Sequence, residues 1–92
     1  MDKKKIQERI KGYICRMSEI QKNPEYSEIS EIIGDLVMAA KTVNMYVTVS
    51  DSQAEVYDRL MSERPRMSKL AWSITKSIAK VFADIELPPY DK

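Results

Sequence analysis

From Tyr26 to Val47, the residues Tyr26, Ile29, Ile33, Leu36, Ala40, Val43 and Val47 recur at alternating spacings of three and four without a slip. At about 100° per residue this draws a single apolar seam along a helix. A seam held over about three heptads calls for a neighbouring helix running nearly parallel or antiparallel to it. Ile32, Val37 and Ala39 widen the seam into the broad face that a bundle helix buries. A chain organised around this stretch is all-α.

The start of that helix is written into Asn23-Pro24-Glu25. Asn caps, Pro fits the first helical position, and Glu favours the positive end of the helix dipole. The helix is expected from Pro24 to roughly Tyr46. The β-branched run Tyr46-Val47-Thr48-Val49-Ser50 then predicts an irregular helix end, since a lone strand has no partner in an otherwise helical chain. Glu28, Glu31 and Asp35 form an acidic outer edge, read as a solvated face and not as a metal site.

Three further helices are expected, one before this stretch and two after it. The first is expected over Lys3 to Lys22, with Ile6, Ile10, Tyr13, Met17 and Ile20 at spacings of four, three, four and three, and Ile14 on the margin. Ser52-Gln53-Ala54-Glu55 matches a capping box and opens a short third helix to about Glu63. After the turn Ser62–Arg66 comes a long closing helix. Pro65 is tolerated in its first turn, and Pro88-Pro89 cannot continue it. Met67, Leu70, Ala71, Ile74, Ile78, Val81, Phe82 and Ile85 cluster on one side of this helix and are expected to be its core face. Trp72, Ala79 and Ala83 fall on nearly the opposite side, among Lys69, Lys76 and Lys80.

The architecture that follows is a small bundle of three to four helices with antiparallel hairpins. Its N-terminal, central and C-terminal helices are long, and a single domain spans residues 1–92. A chain of this length buries somewhat over 60% of its unfolded surface, so association with further copies is one way to bury more. No apolar run approaches the roughly 20 residues of a membrane span, and no membrane partner is expected. A single cysteine, Cys15, excludes an internal disulfide and fits a cytoplasmic protein.

The net charge of +1 conceals strong patterning. Residues 1–22 carry seven basic and three acidic side chains, residues 23–58 one basic and seven acidic, and residues 59–83 six basic and one acidic. Two basic segments thus flank an acidic one. This fits either mutual complementation of packed helices or a dipolar surface with a side for nucleic acid or an acidic partner. With no histidine, one thiol and no glycine-rich phosphate loop, neither catalytic residues, nor a metal, nor a cofactor is expected.

Two segments, Asp35 through Tyr46 and Arg64 through Pro89, resemble the phage terminase small subunit in the branch whose members end in a helical hairpin. The first is similar to the family's helix in which an Asp precedes an apolar run with a Tyr-containing end. The second is similar to its closing unit, a residue-Pro opening, a long amphipathic helix and Leu-x-x-Pro. The resemblance implies a non-enzymatic packaging factor that forms a homo-oligomer, binds duplex DNA and presents it to a large terminase subunit. The candidate phosphate contacts are then Lys3, Lys4, Lys5, Arg9, Lys11 and Arg16, which otherwise read as a solubilising face.

The alternative is a small helical interaction module, a phage or bacterial regulator or host-defence inhibitor, that binds no nucleic acid. Its candidate surface is Lys69, Trp72, Lys76, Ala79, Lys80 and Ala83, a tryptophan ringed by lysines that suits an acidic protein partner or another copy. The competing reading of the same residues is that another helix covers Trp72 within the monomer.

Overall fold

A computed structural model describes residues 1–91. Among these the chain is all-α and has no strands. Its four helices are α1 (Lys3–Lys22), α2 (Ser30–Val49), α3 (Gln53–Glu63) and α4 (Lys69–Ala83), with 3₁₀ turns at Pro24–Ile29 and Arg64–Arg66. α1 and α2 form an antiparallel hairpin. Lys3 Nζ donates to the Thr48 carbonyl at one end (2.9 Å), and Gln21 Nε2 donates to the Ser30 carbonyl at the other (3.1 Å). α4 lies across α2 and reaches α1 near its C-terminal end.

Local chemistry sets the helix starts as the sequence predicts. Asn23 Oδ1 accepts from the Glu25 N–H (3.0 Å), with Pro24 in the first turn. Ser52 Oγ accepts from the Glu55 N–H (3.2 Å), while Glu55 reaches back to the Asp51 N–H. Each cap satisfies an N–H that has no partner inside its own helix.

Four boundaries differ from expectation. The central helix opens as a 3₁₀ turn, with Tyr26 outside helical geometry (φ −109°, ψ 21°), before α2 proper begins at Ser30. It then continues through the β-branched patch to Val49, because Val47 and Ser50 are buried and packing outweighs weak helix propensity. The closing helix does not start at Pro65. Arg64–Arg66 is a separate turn, Met67 is extended, and Ser68 Oγ caps α4 by accepting from the Ala71 N–H (3.1 Å). Nor does it reach Ile85, for Asp84 adopts the left-handed conformation and ends it.

The largest correction concerns the core face of α4. Trp72, Thr75, Ile78, Ala79 and Ala83 are buried, whereas Leu70 and Val81 are about 60% exposed, at 61% and 60%. The buried face is turned by roughly a quarter of the circumference from the stripe of branched aliphatics. What covers it is the chain's own tail. After Asp84 the segment 84–91 runs back along α4, burying Ile85 and Leu87. The Trp72 indole N–H donates to the Pro88 carbonyl (2.8 Å), the Tyr90 hydroxyl to the Met67 carbonyl (2.9 Å) and Gln53 Nε2 to the Ala83 carbonyl (2.8 Å). Trp72 therefore buries its ring and still satisfies its one polar atom, as a core tryptophan requires.

One further expectation changes. The helical stretch Pro24–Val49 is long and apolar enough, by length and composition, to reach across a bilayer, with a mean hydropathy of 1.3 in its most apolar window. Here it is the central element of the bundle, yet only 33% of that window is buried. Much of its apolar surface faces outward.

Candidate interaction surface

The open apolar surface has a centre. A groove of about 450 Å³ lies where α4 crosses the hairpin, lined by Tyr13 of α1, Leu36 of α2, and Ile74, Ile78, Val81 and Phe82 of α4. Ser73 and Ser77 give it a small-residue wall that leaves room for another chain to approach closely. Tyr13 and Phe82 pack with ring centroids 5.3 Å apart at 59°, a tilted aromatic pair that holds one end of the groove rigid. Helical spacing places Ile32 on the same side of α2 as Leu36, toward the hairpin turn, and Ile29 ends the 3₁₀ turn just before α2. Ile29 and Ile32 are both exposed. Leu70 and Val81 lie on the same side of α4 as Ile74 and extend the lining outward.

The charge placed beside this groove is basic. On α1, Arg9 and Arg16 share the edge that carries Tyr13, and the Arg9 guanidinium stands over Phe82 at 5.3 Å. Glu28 in the 3₁₀ turn and Glu31 and Asp35 on α2 are exposed, and Asp35 lines a separate pocket with Met67, Ala71 and Thr75. The four ion pairs among the described residues involve other groups. Arg9, Arg16, Glu28, Glu31 and Asp35 thus have no ion-pair partner among the described residues.

The basic residues of α1 do not form one track. Lys3 is turned inward to the Thr48 carbonyl, Arg9 lies over Phe82, and Arg16 is close to Gly12. Lys5, Arg9 and Arg16 follow one edge of the helix, and Lys4 and Lys11 another. The structure therefore brings Arg9 to the groove, with Lys5 and Arg16 on the same edge of α1, and leaves Lys4 and Lys11 on the other edge.

The second candidate set is also divided. Trp72, Ala79 and Ala83 are inside the monomer, at 0%, 0% and 2% exposure, and offer no surface to a partner. The expectation of a tryptophan-centred docking face is corrected on that ground. Of the lysines, Lys69 approaches Asp91 at 3.7 Å. Lys80 bonds Glu86 (2.9 Å) and Asp84 (3.1 Å), and these two carboxylates raise its pKa above the ordinary lysine value. Lys76 is half-buried beside Lys80 and Glu86. Lys69 and Lys80 thus pair with carboxylates of the tail.

The residues that line the groove were legible as apolar but assigned to the interior. The signal that separates them is the excess itself: α4 carries apolar residues on two faces, more than a helix with one covered side can bury. Cys15 is exposed and lies away from the groove, and among the described residues no group of three or more metal-ligating side chains occurs. Comparison with protein families, with curated proteins and with solved structures finds no match to this chain.

Proposed function

We propose that this is a non-enzymatic helical interaction module that works through the apolar groove between α1, α2 and α4. The observation that carries the reading is a concave apolar site lined by Tyr13, Leu36, Ile74, Ile78, Val81 and Phe82, with Val81 60% exposed at its rim. Apolar side chains scattered singly are ordinary on a protein surface, whereas a contiguous group lining a groove marks a binding site. The test is Val81→Lys, a substitution at an exposed position in the last turn, where a cation suits the helix dipole. The folded variant should keep stability within about 0.5 kcal/mol of wild type and lose binding of an apolar fluorescent probe that dilute wild type takes up. Equal probe binding by both proteins rejects the groove as the site.

The packaging role implied by the terminase resemblance is a narrower form of this reading, in which an assembled module also binds duplex DNA. Its support is the exposed cations Lys4, Lys5 and Lys11 on the solvent side of α1. Retardation of duplex DNA at low salt that is lost on changing Lys4, Lys5 and Lys11 to Glu supports it. Wild-type protein that leaves DNA unretarded rejects it.

A further inference from the structure

We infer that the groove receives an amphipathic helix of another protein, which sets its apolar face between α1, α2 and α4 and carries carboxylates on its flank. This rests on the groove being the working surface and adds what fills it. The lining side chains repeat at helical spacing. Ile74, Ile78 and Phe82 follow one another a turn apart on α4, and Ser73 and Ser77 form a second row beside them. Two such rows with a furrow between them are what a neighbouring helix packs its own ridge into. The lined stretch, Ser73 to Phe82, covers about 14 Å of helix axis, enough for anchors at i, i+4 and i+7 of an incoming helix, which span about 10 Å. The serines let its backbone come close, while Tyr13 and Leu36 supply the walls from α1 and α2. Val81 is 60% exposed at the rim, so the site is open on one side and its occupant keeps an outer face in water. An amphipathic helix has such a face.

The charge at the groove selects the flank. The Arg9 guanidinium lies over the Phe82 ring at 5.3 Å and has no ion-pair partner among the described residues. A guanidinium placed over a ring face keeps its N–H groups at its edge, where they bind a carboxylate in the plane of the fork. The ring also holds the group in place before a partner arrives, so little rotamer freedom is lost on binding. Lys5 and Arg16 lie on the same edge of α1, both exposed, and extend the positive side. No carboxylate is among the residues that line the groove, and Asp35 lines the separate pocket with Met67, Ala71 and Thr75. An acidic flank on the incoming helix thus meets a cation positioned to pair with it, and a basic flank meets repulsion.

The test is fluorescence anisotropy with a labelled helical peptide of about 20 residues, with leucines at i, i+4, i+7 spacing and glutamates beside them, and with a twin whose glutamates are lysines. Wild type is expected to bind the glutamate peptide at least about tenfold more tightly than the twin at low salt, and that peptide to displace the apolar probe. Arg9→Glu, at an exposed position and with its helical fold confirmed by circular dichroism, should lose most of that preference. Equal affinity for the two peptides overturns the inference, as does a preference unchanged by Arg9→Glu. Absence of peptide binding overturns it too. A wild type that then dimerises, or pellets with phosphatidylserine vesicles, in a way lost in Val81→Lys gives the groove to a second copy or to a membrane surface instead. Probe binding lost in Val81→Lys would still stand in each of those events, which separates failure of this inference from failure of the groove itself.

Discussion

Asp84 decides where α4 ends and therefore what covers Trp72. It is the one non-glycine residue with positive φ among those described, at φ 53° and ψ 40°. Aspartate enters this left-handed region more readily than most residues because its short side chain bonds locally, here accepting from Lys80. The turn lets the Asp84 and Ile85 N–H groups close on the Lys80 and Ala79 carbonyls, both at 3.2 Å, and sends the tail back along the helix. Glycine at this position removes the steric cost and gives up only an exposed ion pair of small value. Asp84→Gly should therefore match or exceed wild type by up to about 1 kcal/mol in urea denaturation, whereas Asp84→Val should lose about 1–2 kcal/mol. A valine variant as stable as wild type would mean the chain does not turn there.

At the scale of elements, what the sequence made legible was whatever depends on neighbouring residues. Both ends of α1, the Asn23-Pro24 start and the capping box of α3 are local chemistry, and each stands where the residues place it. The seam of α2 gave the hairpin. Its second half, Ala40, Val43 and Val47, is fully buried, while Tyr26 and Ile29 fall in the 3₁₀ turn, out of the α-helical phase of the seam, and are exposed. The faces of α4 were not legible, since which side is buried depends on a partner with no periodicity of its own. The tail 84–91 is an extended strap whose grip on α4 comes from Ile85, Leu87 and the Pro88 carbonyl. Counting branched aliphatics favours Leu70, Ile74 and Val81. The strap favours the side with the largest ring and two alanines, where backbone can come close. Tyr46 shows a similar long-range tie: its hydroxyl donates to Glu63 and joins the end of α2 to the end of α3. That hydrogen bond, with burial, raises the tyrosine pKa.

For the whole molecule, the consequence is a thin bundle that buries one face of α4 and leaves the other open. The central helix is the most apolar element, yet it is covered over a third of its most apolar window, and one open part of the apolar surface is the groove that its Leu36 lines with α1 and α4. Everything proposed about binding depends on the two faces of α4 being assigned correctly. Thermal melts of Leu70→Asp and Ala79→Asp, compared at low protein concentration, test that most directly. Leu70 is exposed in the first turn, where a carboxylate suits the helix dipole, so its variant should melt within about 3 °C of wild type. Ala79 is fully buried, and an unpaired carboxylate there should lower the midpoint by more than about 10 °C or abolish the cooperative transition. The opposite pattern, with Ala79→Asp melting like wild type and Leu70→Asp collapsing, would contradict the account.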